Sequence, residues 1–529
     1  MVRALLVALL GVGACTHDDL VITAPEGPAP GRIDRAGQLR RHNREAERAR
    51  RRRPREPMQS MPSGTPDIQR AFPWWNELVD AATVTHDDAG LLKARGDLIL
   101  MLLGDDLVVV AIADGPRVVA REPLGGHQDS TLLLRGDQLI VVIPEVHHLL
   151  HPHQVELRRY TLAADGRLSR GSSVHLRSAF SFLGPRYHLA GDALLIHQQG
   201  PVDRLPRIRR AGRWQPLVRT ADLQRPISAD ARELQAVVRC TLSDPFDCTA
   251  RGIVAPVTFY VEADHDAFVA WTIRGVWRLP FTDAPATAVR ISARPLDLLS
   301  WRLDDGAVDA VVETQDTDEL ALVHIPAATL RAGLATIPRT SFIPLAVADR
   351  SEVAARIVGD RVLHGHVPDW ACHGPTTLHV RSLTDATTTA LEIPHCISRI
   401  EPSGHDALIL AAPHDRDDVP VQLTAVDLGS DLVGDTRTIA HAQASRVRTA
   451  GLYKLGAAHR GLIPAQDAPL PVVVHDGPRL TDLGGLPGRG LVAHAFSYAG
   501  RTFIVRDDEL IELAFAADEL IIKTRLALE

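Results

Sequence analysis

The sequence predicts an all-β protein, and three observations support that prediction. The segment from Leu132 to Ile143 reads as an apolar strand, a tight turn and a second apolar strand. Helical periodicity of useful length is missing, and 38 glycines and 36 prolines separate short β-rich runs. The same turn dipeptide recurs between apolar runs at Gly96-Asp97, Gly136-Asp137, Gly191-Asp192 and Gly359-Asp360. We interpret these pairs as turns between strands, because glycine supplies the backbone freedom that tight turns need.

The spacing of these units favours one architecture. Units of about four strands that recur roughly every 40–55 residues are typical of a β-propeller. We therefore expect seven or eight four-stranded blades in residues 73–529, preceded by a disordered tether. Ring closure would remove the long exposed strand edges that otherwise aggregate. Two stacked β-sandwiches are the main alternative.

The N-terminus predicts export. Residues 1–14 are predicted to be a signal peptide, with Arg3 followed by an apolar run from Ala4 to Gly13 that is too short to span a bilayer. The last residues of this run, with Cys15, resemble a bacterial lipobox, in which the cysteine is diacylated and becomes the first mature residue. The resemblance to such lipoproteins implies the outer membrane over inner-membrane retention, because the next residue is Thr16 and not aspartate. An ordinary secretory signal with an incidental cysteine is the alternative.

A basic tether is predicted between this anchor and the folded body. Residues 15–72 are rich in Pro, Gly and Arg and lack hydrophobic periodicity, as expected of a disordered segment. Nine arginines lie within residues 40–55, where they either contact anionic lipid headgroups or remain solvated. Residues 1–60 carry a net charge of +5 and the remainder −12, which argues against nucleic-acid binding by the body.

The folded part is predicted to begin at Pro73-Trp74-Trp75 and to contain hairpin turns at Gly104 to Asp106 and at Asp165-Gly166. A single short helical turn is predicted between Ile325 and Leu334. The tryptophans that fall within strands are expected in the core or between blades, and they are Trp271, Trp277 and Trp301.

Several stretches, taken in order, resemble the secreted bacterial and archaeal β-propeller family, which is distantly akin to WD-repeat propellers. The resemblance covers roughly residues 86–515. Its stretches are DDAGLLKARGDLILML, YTLAADGRLSRGSSVHLR, RCTLSDPFDCT, FYVEADHDAFVAWT, LPFTDAPATAVRISARPLDLLSWRLDDGAVDAVV and IPHCISRIE. The resemblance implies a propeller fold. It implies no particular activity, because the family has no agreed one.

Four of the five cysteines form two pairs that suit an oxidising compartment. Cys240 and Cys248 enclose a loop of seven residues, and closing it would contribute about 2–3 kcal/mol by chain entropy. Cys372 and Cys396 flank two strand-like runs at hairpin spacing. We predict a disulfide in each pair, since neither pair has zinc-site spacing.

Candidate ligands for a metal are few. Four histidines, His147, His148, His151 and His153, lie within seven residues and could hold a transition metal. A loop that gathers histidines without a ligand is the alternative. Two acidic loops, Asp316-Asp318-Glu319 and Asp415-Asp417-Asp418, lack the glycine and distal glutamate of a calcium loop, so solvated turns are expected. No cofactor is expected, and the serine-hydrolase, zinc-protease and phosphate-loop motifs are absent from the sequence.

The sequence therefore predicts a lipid-anchored propeller at the bacterial cell envelope, facing the periplasm or the surface. Its expected role is a binding or scaffold module for a protein or polysaccharide partner, with no nucleic-acid partner. The alternative is a propeller hydrolase or lyase with its active site in the central channel. The residues of such a site would converge from several blades and so be scattered along the sequence.

Overall fold

The structure is a computed structural model, and parts of the chain are described by it. The described residues are 41, 44, 90–125, 130–144, 153–178, 185–202, 204–219, 223–224, 233–256, 258–272, 274–314, 319–345, 353–366, 374–412, 420–439, 442, 453–455, 460–462, 469–486, 492–506, 509–516 and 519–528. The predicted signal peptide, the lipidation residue Cys15, the tether and the start of the body at Pro73 lie outside these residues and stay predictions.

The predicted all-β propeller is confirmed. Within the described residues the strands form nine small sheets that follow one another in chain order, and we number them sheets 1 to 9. These sheets are arranged as an eight-bladed propeller, so the predicted number of seven or eight blades is confirmed. The plain four-stranded sheets are compact, each spanning only 32–41 residues.

Sheets 1 to 3 are built from the first fifteen strands. Sheet 1 contains β1 (Leu92–Arg95), β2 (Leu98–Leu103), β3 (Asp106–Ala111) and β4 (Arg117–Pro123). Sheet 2 contains β5 (Thr131–Arg135), β6 (Gln138–Pro144), β7 (His153–Leu162), β8 (Leu168–Ser178), β11 (Arg207–Arg210) and β12 (Arg213–Pro216). Sheet 3 contains β9 (Arg186–Ala190), β10 (Ala193–Pro201), β13 (Leu223–Gln224), β14 (Glu233–Thr241) and β15 (Cys248–Ala255).

Sheets 4 and 5 each have five strands and contain the short helices. Sheet 4 contains β16 (Thr258–Ala263), β17 (Ala267–Thr272), β18 (Gly275–Pro280), β19 (Thr287–Arg290) and β24 (Leu334–Thr336). Sheet 5 contains β20 (Ala293–Pro295), β21 (Trp301–Asp304), β22 (Ala307–Thr314), β23 (Leu320–Ile325) and β25 (Ile343–Pro344). The helix α1 (Ala327–Arg331) lies within the short helical turn predicted there, and 3₁₀ turns occupy Leu298–Ser300 and Arg339–Ser341.

Sheets 6 to 9 are plain four-stranded sheets. Sheet 6 contains β26 (Val353–Val358), β27 (Arg361–His366), β28 (Thr376–Ser382) and β29 (Thr388–Ile393). Sheet 7 contains β30 (Arg399–Ser403), β31 (Asp406–Ala411), β32 (Val421–Asp427) and β33 (Leu432–Ile439). Sheet 8 contains β34 (Tyr453–Leu455), β35 (Arg460–Leu462), β36 (Leu470–Asp476) and β37 (Arg479–Leu486), and sheet 9 contains β38 (Val492–Tyr498), β39 (Arg501–Arg506), β40 (Glu509–Ala516) and β41 (Glu519–Ala527).

The burial of each strand follows its position within the sheet. Middle strands such as β17 and β18 are buried at every residue, because neighbouring sheets cover both of their faces. They therefore read as continuous apolar runs. The outer strand β41 instead alternates between exposed and partly buried residues along its whole length.

The interface between two neighbouring sheets is called a joint below. Each joint contains its own apolar cluster, from the joint between sheets 1 and 2 around to the joint between sheets 8 and 9. A further cluster joins sheet 9 to sheet 1 and closes the ring. Trp271, Trp277 and Trp301 are buried in the joints on either side of sheet 4, as predicted.

Sheets 2 to 4 carry additional strands at their outer edges. The segment between β10 and β14 adds β11 and β12 to sheet 2 and adds β13, in parallel with β15, to sheet 3. Strand β24 likewise crosses from sheet 5 and pairs in parallel with β19 of sheet 4. These insertions cover strand edges that would otherwise be free to pair with another chain.

Candidate functional site

The turns between first and second strands, and those between third and fourth strands, lie at the same end of every sheet because neighbouring strands are antiparallel. This end of the ring is called the turn face below. The predicted glycines turn here with positive φ, between +55° and +59° for Gly96, Gly136, Gly191 and Gly359.

The aspartates of these turns have a structural role that involves their backbone. The carbonyl oxygen of each accepts a hydrogen bond of 2.8–2.9 Å from the backbone N–H at the end of the third strand of the same sheet. The pairs are Asp97 with Ile112, Asp137 with Leu162, Asp192 with Leu242 and Asp360 with Leu383. The repeated dipeptide therefore joins the two turns of each sheet, and the four aspartate side chains are exposed on the turn face.

One turn of this face brings metal-ligating side chains together. Asp264, His265 and Asp266 form the turn between β16 and β17, and one ligand atom from each lies within 4.8 Å of the others. His265 Nδ1 is 2.8 Å from Asp264 Oδ1, and His265 Nε2 is 3.9 Å from Asp266 Oδ2. The backbone carbonyl of Asp266 accepts a hydrogen bond from the N–H of Phe281. This bond is of the same kind as those of the four Gly-Asp turns.

The electrostatic surroundings of this turn are mixed. The Arg278 guanidinium donates to Asp266 Oδ2. Asp264 Oδ2 and Asp266 Oδ1 are buried and have no hydrogen-bond partner among the described residues. Asp264 Oδ2 also faces the backbone of Gly306 in sheet 5, where an added Cβ would lie 3.2 Å from it. Two carboxylates and an imidazole in this arrangement could coordinate a divalent cation.

Sequence reasoning did not single out this turn. Its signal is the run Asp-His-Asp between two apolar strands, which is visible in the sequence but common in solvated turns. Of the predicted histidines, His147, His148 and His151 lie outside the described residues, and His153 is the first residue of β7. Of the two predicted acidic loops, only Glu319 is described, at 3.5 Å from Arg339.

The first strands of neighbouring sheets contact one another, as expected for strands that surround a central channel. Charged residues occur on those of sheets 6 and 7. The Arg399 guanidinium donates to Glu401, a residue only 4% exposed. Burial lowers the pKa of the Arg356 guanidinium, and the neighbouring Glu401 carboxylate opposes that shift. The ion pair between Arg399 and Glu401 neutralises both groups, which is a structural role for residues that could otherwise act as an acid or a base.

The predicted disulfide between Cys240 and Cys248 is confirmed, and both residues are buried. Cys240 and Cys248 lie opposite each other in the β14–β15 pair, so the bond closes this hairpin on the turn face. Cys396 is also disulfide-bonded. Its predicted partner Cys372 lies outside the described residues, so that pairing stays a prediction.

No protein-family model and no curated protein matches the sequence. Among solved structures, the chain is similar to the computationally designed Ika8 protein at 10% identity and a TM-score of 0.36, covering 81% of this chain and 96% of that one. It is similar to Kluyveromyces lactis Hsv2 at 8% identity and a TM-score of 0.31, covering 56% and 95%. For Pyrococcus horikoshii acylaminoacyl peptidase the values are 9% and 0.27, covering 74% and 51%. At these scores the likenesses carry no conclusion about function.

Within the described part of the chain, every helix is too short or too polar to cross a membrane.

Proposed function

We propose that this chain is an exported lipoprotein of the bacterial cell envelope whose propeller binds a partner. In this proposal Cys15 carries the lipid, residues 15–72 form the tether, and the ring is held near the membrane, with the outer membrane as its expected location. The chain would then be an exported member of the secreted propeller family that its sequence resembles.

The observation that carries the proposal is the disulfide between Cys240 and Cys248. Disulfides of this structural kind form and persist in oxidising compartments and are rare in the cytosol. The disulfide thus agrees with the N-terminal signal, although it is an independent feature some 225 residues further along the chain. A lipid on Cys15 would also account for the odd fifth cysteine.

A binding role is supported by the turn face. Its tight turns expose aspartates on a rigid scaffold, and function tends to reside in such surface loops. Exposed aspartates here include Asp97, Asp114, Asp137, Asp165, Asp283, Asp360, Asp385 and Asp476. A protein partner with basic side chains fits this surface best, with a polysaccharide as the next choice.

Export and anchoring are tested by metabolic labelling with an alkyne-modified palmitate in a bacterial host. We expect label on the wild-type chain and on the Cys240→Ala control, and none on Cys15→Ala. We also expect the wild type in the membrane fraction with four oxidised thiols after processing. An unlabelled wild type with reduced thiols in the cytoplasm would overturn the proposal.

Binding is tested separately by photo-crosslinking in the native envelope. A crosslinking residue placed at Asp137 or Asp385 of the turn face should capture one discrete partner. The same residue at Lys523, on the outer strand β41, is the matched control and should not capture it. Equal capture from both positions would show that the turn face is not the binding surface.

A further inference from the structure

The two halves of the joint between sheets 3 and 4 differ in polarity. The half nearer the turn face is apolar, with Leu195 and Val237 of sheet 3 packed among the side chains of Phe268 and Ala270 of sheet 4. The other half contains polar residues that we call the polar seam. The polar seam consists of His197, Gln199, Gln235, Thr258 and Thr272.

Strand periodicity places the sheet 3 residues in this joint. Leu195 belongs to the apolar cluster of the joint, and His197 and Gln199 follow it at intervals of two along β10, so they point to the same side. Gln199 pairs with Gln235 across β10 and β14, which puts Gln235 on that side as well. His197 also contacts Phe268 of sheet 4 edge-on, at 5.7 Å between ring centroids.

The threonines reach the joint from sheet 4. Trp271 packs into the joint with sheet 5, so its neighbour Thr272 points the opposite way, towards sheet 3. Thr258 pairs with Thr272 across β16 and β17 and shares its side. Gln235 Nε2 donates to the carbonyl of Pro256 at 3.5 Å, and Pro256 lies two residues before Thr258. The polar seam therefore brings side chains from both sheets together.

Three atoms of the polar seam are buried without a hydrogen-bond partner among the described residues. They are His197 Nδ1, Gln199 Oε1 and Thr258 Oγ1. Their residues are only 1%, 8% and 3% exposed. Leaving a buried polar atom without a hydrogen bond costs roughly 1–3 kcal/mol. Three such atoms in one joint therefore indicate that a hydrogen-bonding partner binds there.

The chemistry of the three atoms specifies that partner. His197 Nε2 is 2.8 Å from Gln235 Oε1, and since an amide oxygen only accepts, Nε2 carries the proton and Nδ1 presents a lone pair. Gln199 Oε1 is also an acceptor, whereas the Thr258 hydroxyl can donate. The partner must therefore offer two donors and one acceptor.

We propose that the polar seam binds an ordered water molecule. The water donates a hydrogen bond to His197 Nδ1 and another to Gln199 Oε1, and its oxygen accepts a hydrogen bond from the Thr258 hydroxyl. Buried waters typically make about three hydrogen bonds of this kind to otherwise unsatisfied groups. The joint between sheets 3 and 4 would then be hydrated at one end, and the water would link the two sheets.

The test combines a crystal structure with two variants in the full chain, Gln199→Leu and Thr258→Val. Each variant keeps the approximate size of the side chain and removes one of the three partners. If the water is bound, each variant lowers the melting temperature by a few degrees, because the remaining groups and the water lose a bond. The double variant then falls by less than the sum of the two, since both changes remove the same water. The wild-type crystal structure should show density within hydrogen-bond distance of all three atoms.

Thr258→Ser is the matched control, because it keeps the hydroxyl and should retain the density. If no water is bound, each substitution removes an unsatisfied polar atom and raises the melting temperature. A rise in melting temperature in both variants would overturn the proposal. So would a wild-type electron-density map that shows ordered waters elsewhere but none in the polar seam.

Discussion

Two joints of the ring achieve cohesion by different means. The closing joint between sheets 9 and 1 is apolar through most of its height, with Phe496 and Phe503 stacked at 5.4 Å between centroids. At the turn face, Arg501 of β39 forms an ion pair with Glu512 and donates to the carbonyl of Ile112 in sheet 1. The joint between sheets 3 and 4 instead combines an apolar half with the polar seam.

The difference concerns how the two ends of the described ring are held together. Among the described strands, sheet 9 is built only from the last four, so its hydrogen-bonded ladder includes no strand from the start of the ring. Among the described residues, the apolar cluster and the hydrogen bond from Arg501 to Ile112 link the two ends of the ring. Sheets 3 and 4 follow one another in the chain, so the short connection between them keeps the two sheets close. Their joint can therefore contain buried polar groups.

The largest effect is expected from Arg501→Ala in the closing joint. Glu512 is 5% exposed, and removing its partner leaves a buried carboxylate without an ion pair. Breaking a buried pair from one side costs about 3–5 kcal/mol, which would lower the urea midpoint followed by circular dichroism.

Arg525→Ala is the control for this change. Arg525 lies 3.0 Å from Glu509, but both side chains are about two-fifths exposed, so a loss of about 0–1 kcal/mol is expected. Equal midpoints for the two variants would mean that Arg501 has no special role in closing the ring.

Acid should weaken the joints that contain buried histidines. Burial lowers the pKa of His197, in the joint between sheets 3 and 4, and of His364, in sheet 6, to about 4. Unfolding restores an ordinary pKa near 6.5, so the unfolded chain binds protons that the folded chain excludes. The stability that these neutral histidines contribute is therefore fully present above about pH 6.5 and is lost as the pH falls towards 4. Each histidine accounts for a loss on the order of 3 kcal/mol.

The measurement is the free energy of unfolding between pH 7 and 4, for the wild type and for His364→Phe. His364 stacks on His379 at 5.0 Å between centroids and is only 1% exposed, so phenylalanine fills a similar space without binding a proton. We expect a shallower pH dependence in the variant. Identical slopes would show that His364 does not titrate on unfolding.

Local features of the fold could be predicted from the sequence, whereas the joints could not. The Gly136-Asp137 unit is a strand, turn and strand within twelve residues, so its pattern is complete in one stretch of sequence. The disulfide of Cys240 and Cys248 was likewise visible because the two residues share a hairpin.

The polar seam depends on β10, β14, β16 and β17, whose two sheets meet only after folding, and a glutamine in a strand does not reveal which sheet it faces. The insertion that carries β11 and β12 was also missed, because these strands pair with sheet 2 from a position between two strands of sheet 3. The Asp264 turn was overlooked because folding creates its surroundings, with Gly306 of sheet 5 packed beside the unpartnered Asp264 Oδ2.

A smaller effect is expected from removing the disulfide, because it lies within sheet 3 and joins no two sheets. Replacing Cys240 and Cys248 by alanine should cost about 2–3 kcal/mol, since the closed loop is short. The reduced wild type should show the same loss in urea unfolding. If the double variant lost as much as Arg501→Ala, the hairpin would contribute more to ring cohesion than its place within one sheet implies.

The smallest effects are expected on the turn face, which lies outside both joints. Gly136 has φ of +58° and open space around its Cβ position, so Gly136→Ala incurs only backbone strain of about 1 kcal/mol. Asp137→Ala should cost less than about 0.5 kcal/mol, because the backbone carbonyl and not the exposed side chain accepts the hydrogen bond from Leu162. Thermal unfolding of both variants measures the difference. A larger loss for Asp137→Ala would mean that the side chain, and therefore the charge of the turn face, helps to hold the sheet.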